Sequence, residues 1–378
     1  MDLLNGLVTY VLPFLIVLTV LVFVHELGHY WVARRNGVRV EVFSIGFGQE
    51  LFGWTDRAGT RWRFSAVPLG GYVKMYGDAD ATSAPDEAVH EMTPEQRAVS
   101  FHHKRVGQRA AIVVAGPAAN FLFAIVAFAI IYVFVGQPFT PAEVGGVLPG
   151  SAAERAGIRP GDRIVEMNGE SIERFEDILR IVQLNLTQPL DIKVEREGRV
   201  VEITATPTVV EETDRSGNTH RFARLGISRP GIEIRQHPPL EAIWRASLET
   251  WNQTAGTLKA VGQMLSGRRP ADEVGGMFRI GQQAGDVARN GGVIGLVIFM
   301  AVLSINLGLI NLFPVPMLDG GHLMFYAAEA LRGRPLSLRA QEYGFRIGLV
   351  LVLSLMLFAT WNDLVHLRVV QYLVGLVS

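Results

Sequence analysis

Four stretches of the chain carry no charged residue and few polar ones: Leu7–Val24 (18 residues), Ala111–Val135 (25), Val293–Phe313 (21) and Ile347–Trp361 (15). A helix that crosses a bilayer needs about 20 apolar residues, with a range of about 17–25. The first three runs qualify as they stand. The fourth reaches that length once Tyr343–Phe345 extends it and Arg346 snorkels toward the headgroups. The pattern predicts four spans. The first run does not read as a signal peptide: Met1–Gly6 carries no positive charge, no small-residue cleavage site follows, and the run passes straight into His25 and Glu26.

Basic residues orient the spans. Arg34, Arg35 and Arg39 follow the first, Lys104, Arg105 and Arg109 precede the second, and Arg332, Arg334, Arg339 and Arg346 lie between the third and fourth. After the second span no basic residue appears until Arg155. Lys and Arg concentrate on the cytosolic side, so both termini are expected outside, with the 29–110 and 325–345 loops in the cytosol. Four segments follow: 1–135 with the first two spans, 136–232 and 233–292 outside, and 293–378 with the last two spans.

The outer segment alternates short apolar strands with Gly/Pro turns from Gly146 to Gly169. Ser151–Gly157 reads as a short helix, Gly161–Asp162 as a turn into a strand, and Phe175–Leu186 as an amphipathic helix. Asp191–Glu195 and Val200–Thr206 read as strands joined at Glu197–Gly198. This stretch resembles a bacterial PDZ domain, which binds a chain end by strand addition and receives its carboxylate on backbone amides. In permuted versions of that domain the carboxylate loop comes last, and Leu225, Gly226 and Ile227 are the candidates. From Leu240 to Leu265, Trp244, Leu248, Trp251, Ala255 and Leu258 recur at helical spacing. That helix either lies at the membrane–water interface or packs on the neighbouring elements. In the cytosolic loop, Arg61–Leu69 and Tyr72–Met75 alternate around Gly70–Gly71 and read as a β-hairpin with an apolar face.

Composition agrees with a membrane protein that has a sizeable aqueous portion. Of 378 residues 49% are hydrophobic and 19% charged, against roughly 25% charged in soluble chains, and the mean hydropathy is +0.26. A net charge of −1 gives nucleic acid no electrostatic attraction. The absence of cysteine excludes disulfides, Fe–S clusters, thiolate metal sites and cysteine nucleophiles.

The candidate chemistry sits at the end of the first span, His25-Glu26-Leu27-Gly28-His29. Residues four apart on a helix differ by about 40° around its axis, so both imidazoles can grip one ion, while Glu26 can reach the attacking water. Ionisable groups at membrane depth cost about 2.5–3.5 kcal/mol each on insertion scales, so three within five residues imply function. A catalytic zinc site keeps three protein ligands and one open position, and the third span offers the third ligand. There Pro314 and Pro316 break the helix, and Gly320–Gly321 allow a tight turn that aims Asp319 inward. The first and third spans run the same way, so His25 and Asp319 reach a common depth on the cytosolic side.

The HExxH motif, the Asn311-x-x-Pro314-x-Pro316-x-x-Asp319-Gly320 run, the PDZ-like module between them and Ala115–Phe121 in the second span together resemble the site-2 protease family of intramembrane zinc metalloproteases. The likeness covers nearly the whole chain and is nearest the bacterial regulator of sigma-E protease (RseP) group. It implies a multi-pass protein of the bacterial inner membrane with Zn2+ on His25, His29 and Asp319 and with Glu26 as general base. It implies single-span membrane proteins as substrates, either anti-sigma factors or signal-peptide remnants, and a hairpin that pairs with the unwound substrate. The alternative for that hairpin is an ordinary surface one. Asn311 is a candidate donor to the substrate or oxyanion, or else satisfies backbone freed by Pro314. Asn306 is a candidate for bonding across helices. Two departures stand out: one PDZ-like module where well-known members carry two in tandem, and Gly275-Gly276-Met277 where similar sequences have Gly-Gly-Pro. The competing readings are a protease acting on soluble proteins, a zinc transporter, which has no use for Glu26, and an inactive PDZ scaffold, which would require a lost ligand.

Overall fold

A computed structural model of the chain describes residues 7–79, 91–213, 219–231, 233–268, 270 and 275–366. Contacts divide the chain into two compact units, one of residues 1–130 with 239–365 and the other of 131–238 with 366–378.

The first unit contains all of the long apolar helices. One π-helical turn, Leu7–Val11, leads into α1 (Leu12–Arg35). After a short helix α2 (Pro94–Val99) comes α3 (Val106–Phe134). Four stretches, Val8–Arg35, Val106–Phe134, Met277–Asn311 and Arg339–Val365, are long and apolar enough to cross a membrane. Few of their side chains are buried in the protein, and a helix that stays apolar on its open faces needs lipid around it. The 15-residue fourth run is thus the apolar part of a helix that exceeds the spanning length.

The two strands between α1 and α2 depart from the expected hairpin. No turn forms at Gly70–Gly71. Arg61–Met75 is one strand, β2, and its partner is β1 (Val40–Thr55). The chain reverses instead between Asp56 and Thr60, where the Asp56 carboxylate accepts the amides of Ala58 (2.8 Å) and Thr60 (3.0 Å) and Gly59 takes a φ of 83°. An Asx-type turn supplies its own hydrogen bonds, which a Gly-Gly pair cannot. The two glycines serve close approach: a Cβ on Gly71 would strike the Ser44 carbonyl and the Val22 side chain, and one on Gly70 would strike the Phe47 ring. Both strands bend, so Val42–Ile45 pairs with Gly71–Lys74 on one side and with Arg61–Phe64 on the other, while Phe52–Thr55 also pairs with Arg61–Phe64. Gly71–Met75 is therefore an edge. Among the described residues its pairing is to β1 alone.

The second unit is built on a four-stranded antiparallel sheet. Its strands are β3 (Arg163–Met167), β4 (Glu170–Ser171), β5 (Leu190–Arg196) and β6 (Arg199–Ala205), in the order β4-β3-β5-β6. Glu197 and Gly198 join β5 to β6 with φ of 52° and 74°, as a two-residue hairpin requires. The helix Phe175–Leu184 lays Phe175, Ile178, Ile181 and Val182 on a core of Ile164, Met167, Leu190, Ile192 and Val194. Three antiparallel pairs form two-stranded sheets of their own: Gln137–Phe139 with Glu233–Arg235, Gly146–Val147 with Ile227–Ser228, and Thr208–Thr213 with Thr219–Arg224. Leu225 is buried beside Ala153, whose amide donates to its carbonyl, and Gly226 accepts from the Leu148 amide.

Back in the first unit, the helix Pro239–Leu265 buries a face of small residues, Ala242, Ala246 and Thr250, and leaves Trp244 and Trp251 open. Thr257 donates to the Asn306 side chain at 3.1 Å, so this helix packs against the third apolar helix, Met277–Asn311. The latter is broken at Gly292 (φ 57°, ψ −151°) into an N-terminal part and the apolar run. The N-terminal part packs on the start of α1, with Gly281 beside Phe14 and Gly285 against Tyr10. Asp363, from the last helix Leu338–His366, accepts the amides of Gly276 (2.8 Å) and Arg279 (3.1 Å) and so caps it.

Candidate metal centre

His25 and His29 stand one turn apart on α1, both buried, with their rings edge to face at 4.8 Å. Helix Met277–Asn311 ends where the two prolines begin. The backbone then turns at Met317 (φ 85°) and restarts as the helix Asp319–Arg332. Gly320 and Gly321 are not a turn, as the sequence suggested, but the first residues of that helix. They are small because a Cβ on either would strike the carbonyls of Leu312, Phe313 and Val315. The proline-broken segment folds back tightly over the helix start, and this presents Asp319 to α1.

Three candidate ligand side chains converge as a result. The Nε2 atoms of His25 and His29 are 3.2 Å apart. Asp319 Oδ2 lies 3.1 Å from His25 Nε2, and Oδ1 lies 3.5 Å from His29 Nε2. Among the described residues this is the cluster of His, Asp and Glu able to hold a metal ion. The arrangement fits zinc. Bonds of about 2.0–2.2 Å in a tetrahedron place ligand atoms about 3.3–3.5 Å apart, close to the three separations seen. Chemistry agrees: His29 Nδ1 bonds the Ile112 carbonyl at 2.9 Å, an acceptor only, so its Nε2 presents a lone pair. Asp319 Oδ2 is buried without a hydrogen-bond partner. Acceptors that converge with no proton between them call for a cation.

Helix α3 builds the layer behind the ligands. A Cβ on Gly28 would strike the Ala115 carbonyl, so α1 and α3 touch backbone to backbone at the motif itself. Asn120 is fully buried, and its side-chain amide meets His25 Nδ1 at 3.0 Å. As placed, Asn120 Nδ2 faces Nδ1 and Oδ1 faces the Ser304 hydroxyl at 3.4 Å; a His25 that ligates through Nε2 carries its proton on Nδ1, and the Asn120 amide turned over, an orientation of equal shape, presents its oxygen as the acceptor. Ser304 ties Asn120 down by donating to its backbone carbonyl at 3.0 Å. Asn120 is the residue that sequence reasoning left without a role: it appeared only within the Ala115–Phe121 signature. The available signal was a lone asparagine in a 25-residue uncharged run.

The remaining candidates fall in different places. Glu26 follows His25 and lies within electrostatic reach of His25, His29 and Asp319, and the backbone N–H of Val73 on the β2 edge faces its carboxylate. Asn311 closes its helix half-buried, Pro314 lies exposed in the break, and Asn306 is engaged by Thr257. Leu225, Gly226 and Ile227 belong to the second unit.

The profile of Peptidase family M50 matches residues 13–355. Metalloprotease MmpA of Caulobacter vibrioides is 43% identical over 394 positions, covering 98% of this chain and 99% of its own. A Rhizobium meliloti protein with the provisional name zinc metalloprotease is 46% identical over 370 positions, 96% of this chain and 99% of its own. Protease RseP of Yersinia pestis is 34% identical over 452 positions, 93% of this chain and 97% of its own.

Proposed function

The chain belongs to peptidase family M50, the site-2 proteases, and on that premise we propose that it cleaves peptide bonds inside the membrane-spanning segments of single-span proteins, with His25, His29 and Asp319 as zinc ligands and Glu26 as general base. That it is a zinc metalloendopeptidase of the inner membrane with several spans follows from the family, its named relatives and the four apolar helices. The observation that carries the finer reading is the convergence of two imidazole nitrogens and a carboxylate at 3.1–3.5 Å, the imidazoles on a helix of spanning length and the carboxylate just beyond the end of another.

Zinc bound there supplies a Lewis acid that acidifies water and polarises the scissile carbonyl. The rest is the chain's own work. Glu26 takes the proton of the attacking water and returns it to the leaving amine. Ile112 and Asn120 hold the two imidazoles in the ligating orientation. Asn311, at the mouth of the proline break, donates to the substrate.

A helical substrate hides its scissile carbonyl in hydrogen bonds and must be extended before it is cut. The edge Gly71–Met75 lies against Glu26, where an extended segment adds to it as a further strand. We read the second unit as one permuted PDZ module with Leu225–Ile227 as its carboxylate loop. The order of strand, short helix, strand, helix and hairpin supports this, as does the pairing of Ile227–Ser228 with Gly146–Val147. In this reading the module and both termini face the periplasm, the centre opens toward the cytosol, and the substrates are anti-sigma factors or signal-peptide remnants in regulated intramembrane proteolysis.

The test is cleavage of a single-span substrate by the purified protein in detergent, beside Glu26→Gln with its zinc assayed. The expected result is a cut within the span by wild type and an inactive variant that keeps about one zinc. A variant that cuts as well as wild type removes Glu26 from the mechanism. A wild type that cuts soluble proteins and no spanning segment removes the substrate assignment.

A further inference from the structure

The turn between β1 and β2 is fastened to the helix that carries the metal ligands. Asp56 receives four donors. Two shape the turn itself, the amides of Ala58 and Thr60 on Oδ1. The other two reach outward to Oδ2: the Trp62 indole N–H at 2.9 Å and the Tyr30 hydroxyl at 3.1 Å. Burial pushes the Asp56 carboxyl up, but the Trp62, Thr60, Ala58 and Tyr30 donors outweigh it and hold the group below the usual carboxylate range. It is ionised at neutral pH, the form that bonds donors best.

Tyr30 directly follows His29. Between it and the start of the sheet contact, α1 presents Phe23 and Glu26. Phe43 packs edge-on to Phe23 and Tyr30 at 5.7 Å each, and Trp62 stacks on Phe43 at 4.3 Å. At the far end of the contact, Gly71 lies against Val22 and Glu26. The sheet thus meets α1 at two points about 6 Å apart along the axis: a glycine contact at Glu26 and the Asp56 carboxylate at Tyr30. Aromatic stacking between them supplies area, but apolar contact has no direction and tolerates sliding. The hydrogen bonds to Asp56 do not.

We propose that Tyr30 and Asp56 form a positioning pair that fixes the Gly71–Met75 edge over Glu26 and so selects which peptide bond of the substrate meets the metal centre. This rests on the reading that the substrate pairs with that edge. One residue along a strand is about 3.3 Å, and a slip of one also reverses its faces. A loosened pin therefore changes where the cut falls as well as how fast it is made.

The experiment uses the full-length, zinc-loaded protein in detergent with a single-span substrate and compares wild type, Tyr30→Phe, Asp56→Asn and the double variant. Tyr30→Phe keeps the ring and the stack and deletes the hydroxyl alone. The expected result is about one zinc in every variant, kcat lowered roughly 3- to 10-fold in each single variant with KM little changed, and new products cut one or two residues from the wild-type bond. The double variant should be little worse than Asp56→Asn, because the Tyr30 bond that Tyr30→Phe deletes is among the four that Asp56→Asn already weakens. A merely structural role would lower thermal stability without moving the cut. Because the chain has no cysteine, spin labels at Arg35→Cys and Arg57→Cys read the turn's position without substrate, and their distance distribution should broaden in Tyr30→Phe. Unchanged labels, or a Tyr30→Phe enzyme with the wild-type rate and cut, overturn the pair. Wild-type cleavage indifferent to N-methylation of the substrate amides overturns the strand-pairing reading instead, and the labels still judge the pin.

Discussion

Gly116 lies directly beneath the His29 ring: a Cβ built on it would fall onto Nε2, Cε1 and Cδ2 of the imidazole. His29 cannot retreat, because its other nitrogen is bonded to the Ile112 carbonyl, one turn from Gly116 on α3. Gly116→Ala should therefore push the ring out of line with His25 and Asp319. The expected outcome is zinc retention weakened at least about 10-fold, with cleavage lost in step. Gly107→Ala in the same helix, where a Cβ meets nothing within 4 Å, is the control and should be neutral or slightly stabilising. Zinc content after dialysis against a chelator, beside cleavage, checks both.

Asn120→Ala tests the same layer from the other ligand. It removes the partner of His25 Nδ1 without touching a ligand atom. Loss of a group behind a metal ligand costs about 10- to 100-fold in metal affinity or activity. Chelator competition should show weaker zinc binding of that size, and excess zinc should restore part of the cleavage. Zinc affinity equal to wild type would mean that His25 is oriented without Asn120.

Gly71→Val probes the edge rather than the metal. The added side chain collides with the Ser44 carbonyl and with Val22 on α1, and it lifts the strand away from Glu26. Zinc content should stay at wild-type level while kcat/KM falls about 10-fold or more, as small displacements of a positioned group do. Equal losses of zinc and activity would show that the sheet supports the metal ligands instead.

Much of the unit that carries the centre was legible because its signals are lengths and spacings. Uncharged runs of 15–25 residues mark spans, HExxH places two imidazoles on one face, and Pro314 with Pro316 stops a helix just before Asp319. The strands of the second unit were legible through their Gly/Pro turns. What escaped reading depends on partners distant in sequence. Asn120 meets His25 from 95 residues away, and no local pattern distinguishes a bonded asparagine from a tolerated one. Gly70–Gly71 was misread because glycine serves turns and close approaches alike, and only the presence of α1 against the strand decides between them. The turn at Asp56 was available in Asp-x-x-Gly, but an Asx turn competes weakly for notice beside a double glycine. The prolines marked a break ahead of Asp319, but the turn itself falls on Met317 at φ 85°, a position for which glycine would be the natural expectation, so its place had no sequence mark.

A last expectation concerns acid and the second unit. Asp162, nearly inaccessible, holds Arg196 through two bonds of 2.7 Å and accepts the Arg159 amide at 2.8 Å. Burial raises the Asp162 carboxyl, but the Arg196 guanidinium and the Arg159 amide outweigh it and keep the group below the usual carboxylate range. A carboxyl whose folded pKa is depressed stabilises the fold fully above its unfolded value of about 3.9 and loses that contribution as pH falls through the folded one. Hydrogen bonds to a charged group are worth about 1.5–3 kcal/mol. At pH 7, Asp162→Asn should therefore speed amide exchange in Arg163–Met167 and Leu190–Arg196 of the full-length protein by about 10- to 100-fold relative to wild type. As pH falls below the unfolded value of about 3.9 toward the depressed folded one, the two proteins should exchange at increasingly similar rates, because proton uptake then favours the unfolded chain and erodes the contribution of the charge. A ratio that stays constant from pH 7 to pH 3 would show that the contribution of Asp162 is packing and not charge.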